Sequence, residues 1–512
     1  MPEMRGSFYG LGRLIRRVIL SGSGKNGTIT TPIEPSPSPI EPASIHLSLP
    51  NKGTWLLEKR AVVAPLVRPL PLAVRPQPIP LSSPKTSDRE RLISAIKSGP
   101  PVVLLHGRAG TGKTSLIHSL RNEGLRHVVV APTGIAALNA GGQTIHKFFG
   151  IPPRIVNLDD IKPRHRLGSI LRRIDLIVID EISMVRADLL DVVDRTLRVH
   201  LDAEKPFGGK TLLLVGDFLQ LPPVVEKEDA AILQHRGYEA TYAFGATCIQ
   251  NLRELKLIEL STVYRQSDPE FLDLLHNVRT GEKLEDTVRC LNLRCHKPHR
   301  STAKPIILTS RTDAALEYNR QGLAALPGSA IRFAGTIEND FRILRDRLPA
   351  PEHLDLKKGA RIIMVKNDPE KRWVNGSLGT VSNLSSTSVW VRLDGAANEE
   401  EVHRATWESI EYQYDALTQR VNPVVVGTYT QFPIMPAWAM TIHKAQGLTL
   451  DDVRIDLGHG AFSAGQAYVG LSRARSLEGL SLSQPLRISD VIADAALVEG
   501  VRYIVAAHSD EF

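Results

Sequence analysis

The chain has little sulfur, no long apolar run and, over most of its length, almost no net charge. Three cysteines (Cys248, Cys290, Cys295) in 512 residues are too few for a disulfide framework, which favours a reducing compartment. No stretch reaches the ~20 apolar residues of a membrane span, so no membrane partner is expected. No internal repeat is visible. The formal charge is +8, but residues 1–85 hold 11 Lys/Arg against 4 Asp/Glu, a net of +7. The remainder is therefore only about +1, and charge alone does not argue that it binds DNA.

Those first 85 residues also hold 14 of the 34 prolines and read as an extended, disordered arm. Within it, Leu11, Leu14, Ile15, Val18 and Ile19 share one helical face, with Arg13, Arg16 and Arg17 opposite. A transit peptide, a basic arm for DNA and a solvated helix all fit that pattern. From about residue 87 onward helical and strand periodicities alternate, as in a parallel sheet with crossovers. Two β/α blocks are separable, one to about residue 245 and one from about 246. The second is interrupted over 356–430 by short β patterns such as Arg361–Val365 and Val389–Arg392, which read as a small inserted barrel.

Residues 107–114 read Gly-Arg-Ala-Gly-Thr-Gly-Lys-Thr and follow the apolar run Val102–Leu105. Strand, glycine-rich turn and helix start make a phosphate-binding loop. Gly107, Arg108, Ala109, Gly110, Thr111 and Gly112 supply inward-turning N–H groups, Lys113 reaches the β- and γ-phosphates, and Thr114 can ligate Mg²⁺. A second apolar run, Leu176–Ile179, ends in Asp180-Glu181. Asp180 suits the Mg²⁺ shell and Glu181 can polarise an attacking water. A third, Leu212–Val215, leads to Gln220, an uncharged group suited to sensing a γ-phosphate. Arg265 and Arg473 lie in the second block, so a nucleotide held by the first would be completed only when the cleft closes. The expected chemistry is hydrolysis of a nucleoside triphosphate.

A series of further motifs, in order over about residues 87–485, resembles the PIF branch of the PIF/RecD-like superfamily 1B helicases. It includes Ala131–Ala137, Gln143–Phe149, Asp180–Met184, Lys205–Gly209, Gly216–Val224, Lys366–Asp368, Trp373–Ser377, Thr441–Gly447 and Tyr468–Arg473. The resemblance implies an α/β fold of two RecA-like P-loop NTPase motor domains in tandem (87–245, with a wedge insertion at about 151–170, and 246–355 with 431–487). A β-barrel inserted at 356–430, a disordered arm at 1–86 and an extension at 488–512 complete the expectation. It also implies a monomeric ATP- and Mg²⁺-dependent DNA helicase that tracks 5′ to 3′ on single strands and opens tailed or forked duplex. Pro132, Thr133, Thr144, His146 and Phe148 on the first block, and His443 and Lys444 on the second, are the implied DNA contacts. Phe148 and Phe149 can equally be core.

Three points stay open on sequence. Arg89-Glu90-Arg91 stands where the family carries an adenine-reading glutamine, which puts adenine selectivity in question. The insertion's Arg154, Lys162, Arg164, His165 and Arg166 are a DNA-facing patch or a solvated loop. Cys290-x₄-Cys295-His296-x₂-His299 has irregular spacing for zinc. A bacterial host would make the compartment cytoplasmic, at the nucleoid; a eukaryotic one, mitochondrial or nuclear. A remodelling ATPase that does not unwind and a P-loop switch are the alternative functions.

Overall fold

A computed structural model describes residues 86–295, 305–341, 348–415, 418 and 420–508. The N-terminal arm with its amphipathic stretch, and His296 and His299 of the zinc reading, lie outside them.

Six parallel strands form the first sheet: β1 (Val102–Gly107), β2 (His127–Ala131), β3 (Gln143–Thr144), β4 (Leu176–Ile179), β5 (Thr211–Gly216) and β6 (Lys256–Leu260). Their order is β3-β2-β4-β5-β1-β6. The apolar runs are continuous because both faces are covered. Val102 and Leu104 face one cluster with Ile177, Ile179, Leu212 and Leu214. Val103 and Leu105 face the other with Val178, Leu213 and Val215. Alternate residues thus enter opposite cores, as pleating demands. At roughly 1.5–3 kcal/mol per buried aliphatic side chain, this double covering is the main force holding the sheet. The order also makes β4, β5 and β1 neighbours, so the three strand ends picked out by their chemistry lie side by side. The first sheet extends past the 245 boundary, because β6 pairs with β1 from Val103↔Lys256 to Gly107↔Leu260.

A second parallel sheet, in the order β18-β7-β19-β20, uses β7 (Ile306–Thr309), β18 (Ala439–Thr441), β19 (Val453–Asp456) and β20 (Leu480–Leu482). Between β7 and β18 run strands β8 (Ile331–Ala334), β9 (Thr336–Asn339), β10 (His353–Leu356), β11 (Arg361–Met364), β12 (Leu378–Leu384), β13 (Val389–Leu393), β14 (Glu399–Val402), β15 (Ala405–Asp415), β16 (Arg420–Gln431) and β17 (Ile434–Pro436). The inserted antiparallel region therefore runs from Ile331 to Pro436, beyond 356–430 at both ends.

Nor does it form a closed barrel among the described residues. It forms an open antiparallel sheet β14-β13-β12-β11-β17, a ribbon β15-β16-β9 and the pair β10-β8. Closure depends on which strands pair at long range, and local alternation does not encode that. The β15–β16 ribbon lies against the first block: Tyr412 is buried in that block's core and its hydroxyl accepts from Val129 N at 3.1 Å. The chain also returns at its end. The helix Ala495–His508 sends Val498, Val501 and Ile504 into the same core.

Candidate functional site

The phosphate loop joins β1 to the helix Lys113–Ser119, and Gly110 and Gly112 take φ of 81° and 86°, which side-chain-bearing residues avoid. Lys113 Nζ donates to the carbonyls of Gly107 (2.6 Å) and Arg108 (2.9 Å), and one of its three hydrogens remains for a phosphate oxygen. Burial lowers the pKa of this ammonium below its ordinary value. Thr111 and Ala109 are buried in the loop, while Thr114 is exposed on its outer turn.

Asp180 and Glu181 stand at the end of β4. Burial, then the neighbouring Glu181, pushes the Asp180 carboxyl up to about 7. Burial also holds the Glu181 carboxyl above its usual range, against the pull of Lys113 and Arg473. A carboxylate with raised pKa is the stronger base toward water. Glu181 adopts φ 52°, a left-handed conformation that a glutamate takes only under constraint, and such strain gathers at functional sites.

The second block supplies the other wall. Gln446, which follows β18, donates to Glu181 Oε2 at 3.0 Å and stands 3.2 Å from Gln220 Oε1. Arg473 is 1% exposed and bonds only neutral oxygens: Val469 O at 2.8 Å, Ser472 Oγ at 2.8 Å and Leu448 O at 3.3 Å. Arg265 likewise donates to Thr449 Oγ1 (2.9 Å) and to the carbonyls of Gly447 and Ser472. Burial pushes Arg473 down to about 10, and burial together with Arg473 lowers Arg265. Two guanidinium groups held near each other without a carboxylate partner form a site for an anion.

The family model described as PIF1-like helicase matches residues 87–289, and one described as Helicase matches 414–511. The mouse ATP-dependent DNA helicase PIF1 is 34% identical over 462 residues, covering 86% of this chain and 67% of that protein. The crystal structure of Bacteroides sp Pif1 with ADP-AlF4 superposes with a TM-score of 0.75 at 32% identity, covering 82% of this chain and 97% of that one. The chain belongs to the PIF1-like helicase family. A Bacteroides Pif1 bound to single-stranded DNA matches with a TM-score of 0.59 at 32% identity, over 83% and 97% of the two chains.

In this PIF1-like chain the candidate DNA contacts of the first block sit at the ends of β2 and β3, and His443 and Lys444 follow the edge strand β18. Thr133 caps the helix Gly134–Ala140 by accepting from Ala136 N, and Thr144 caps Ile145–Phe149 by accepting from Lys147 N, both at 3.2 Å. Pro132 and His146 are half-buried and Lys444 is exposed. Burial lowers the pKa of both His146 and His443, so each is neutral at pH 7.

Phe148 is 8% exposed, with its ring edge-on to Phe149 (4.9 Å) and Tyr412 (5.8 Å), which matches the core alternative raised for it on sequence. In the 151–170 insertion Arg164 donates to Gly150 O and Arg166 pairs with Glu411 at 2.7 Å, while both side chains stay exposed. Arg166 and Glu411, with His146, Lys147 and Asp340, line a cavity of about 510 Å³. No cluster of three metal-ligating side chains occurs among the described residues.

Sequence reasoning assigned no role to Gln446, Asp217, Arg279, Tyr468 or His106. Gln446, Asp217 and Tyr468 stand inside the motifs above and could have been singled out there. Arg279 and His106 carry no local signal.

Proposed function

We propose that this chain is an ATP-dependent DNA helicase, built from two RecA-like motor domains, that moves 5′ to 3′ on single strands and opens duplex in genome maintenance. One observation carries the reading: Gln446 of the second block is bonded to Glu181 and lies against Gln220 of the first. A site whose base and sensor are held from across a cleft hydrolyses its nucleotide when the cleft is closed. Closure and reopening are displacements that a bound strand can follow.

In this mechanism residues 107–112 cradle the phosphates and Lys113 neutralises them. Glu181 polarises the attacking water, and Gln220 senses the γ-phosphate. Arg265 and Arg473 meet the charge that develops on the transferring group. The Thr114 hydroxyl and Asp180 carboxylate fit Mg²⁺, which takes oxygen donors, and the buried Asp180 benefits from a cation. Mg²⁺, when bound, would offset the charge of the β- and γ-oxygens.

Pro132, Thr133, Thr144, His146, His443 and Lys444 form the strand-binding set. Each threonine hydroxyl accepts from a helix N–H and so keeps its own hydrogen for a phosphate oxygen. Opening costs only about 1.4 kcal/mol per base-pair step, which a single hydrolysis exceeds.

The test is hydrolysis of ATP by the purified chain with and without single-stranded DNA, using Lys113→Ala as the blank, followed by strand displacement on 5′- and 3′-tailed duplexes. Stimulation by DNA and opening of the 5′-tailed substrate are expected. Hydrolysis indifferent to DNA would sink the proposal and leave a nucleotide switch. Stimulation without strand separation would make the chain a remodelling translocase.

A further inference from the structure

Asp217, one residue beyond β5, is 1% exposed and collects five donors. Its Oδ1 accepts from Arg279 Nη2 (2.8 Å), Arg279 Nε (3.2 Å) and Leu219 N (3.3 Å). Its Oδ2 accepts from the Tyr468 hydroxyl (3.1 Å) and Gln220 Nε2 (3.3 Å). Burial alone would raise this carboxyl, but Arg279, then His106 and Lys113, hold it well below the usual carboxylate range, so it is charged at any working pH. Arg279 and Tyr468 belong to the second block, on the helices Pro269–Thr280 and Gln466–Leu471. The Tyr468 hydroxyl works in both directions, because it also accepts from Ala109 N of the phosphate loop at 3.3 Å.

A buried ion pair contributes little net stability, since desolvation offsets the attraction; its best-attested use is to specify one register. Here the register is that of two blocks which must move. Gln220 is held at both ends by groups that depend on it: Nε2 by Asp217, itself fixed by Arg279 and Tyr468, and Oε1 by Gln446. Gly465 closes the contact, because a Cβ there would lie 2.5 Å from Gln220 O.

We propose that Tyr468 and Arg279, acting through Asp217, are positioning residues for Gln220, so that the sensor is aligned only when the second block is seated on the first. The proposal rests on the ATP-driven reading above. Opening the cleft withdraws Tyr468 from both Asp217 and Ala109, releasing the sensor and the loop in one movement. The coupling is therefore stereochemical, carried by one hydroxyl and one carboxylate.

Tyr468→Phe removes one oxygen and keeps the ring. With single-stranded DNA present, its kcat for ATP should fall about tenfold, the size expected of one hydrogen bond to a charged group. KM for ATP should move less than about threefold and the melting temperature should hold. The deciding comparison is the double variant Tyr468→Phe/Gln220→Ala. If Tyr468 acts through Gln220, the double variant is no slower than Gln220→Ala alone. A further tenfold loss in the double variant, or a Tyr468→Phe kcat within twofold of wild type, overturns the proposal. Arg279→Lys, which keeps the charge and loses the fork, carries the same comparison should Tyr468→Phe fold poorly. Stimulation of the wild-type chain by DNA, read in the same assay, separates failure of this proposal from failure of the helicase reading.

Discussion

A Gly110→Ala substitution would put a methyl group where the two blocks meet. Its Cβ would stand 2.5 Å from the Cβ of Arg265, at a backbone φ of +81°. Two costs follow. The left-handed conformation costs alanine about 1–2 kcal/mol. The contact is roughly 1 Å shorter than the ~3.5 Å optimum between carbon atoms, so the segment carrying Arg265 must retreat by about that much. Tyr264 N, which donates to Gly110 O at 2.9 Å, retreats with it. A misplacement of about 1 Å near a reacting centre costs on the order of 10²-fold in rate. The expected result is a fall in kcat of about a hundredfold with nucleotide affinity changed much less. Gly237→Ala is the control: φ is +84° but nothing lies within 4 Å, so it bears the conformational cost alone. Its ATPase should match wild type. Steady-state hydrolysis and fluorescent-nucleotide titration measure both quantities. A Gly110→Ala kcat within threefold of wild type, or an equal loss in Gly237→Ala, would refute the reasoning.

Other outcomes follow from the same geometry. Arg473→Ala should lower DNA-stimulated kcat by roughly 10³-fold or more, and Arg473→Lys, which lacks the planar fork, should recover little of it. Phe148→Ala should destabilise the fold by about 3–5 kcal/mol in denaturant titration, the cost of a core cavity, and a DNA-affinity loss without it would contradict the burial. Lys444→Ala should make the slope of log K against log salt for single-stranded DNA about 0.7 shallower, whereas neutral His443→Gln should leave it unchanged. His106, which burial pushes down to about 3, bears on acid stability. Its folded pKa lies below the unfolded 6.5, so stability is full above pH 6.5 and falls as pH drops toward 3. At pH 5 the loss is about 2 kcal/mol, and His106→Asn should flatten that part of the pH–stability curve.

The phosphate loop, Asp180-Glu181 and Gln220 were legible because each is a short local pattern after an apolar run, and the chemistry demands that spacing. The sequence by itself determined the two α/β blocks and the nucleotide chemistry, since backbone N–H groups, a lysine and strand-end acids act within a few residues of one another. Tertiary structure decided the rest. Gln446 meets Glu181 across 265 residues, Tyr468 meets Asp217 across 251, and Arg279 meets Asp217 across 62. Phe148 became core because Tyr412, from the inserted ribbon, packs on it. The helix Ala495–His508 has an apolar face whose destination in the first block no local pattern names. The open sheets of the insertion have the same cause: alternation tells a strand which residues face inward, while the identity of its neighbour depends on contacts closed across long loops.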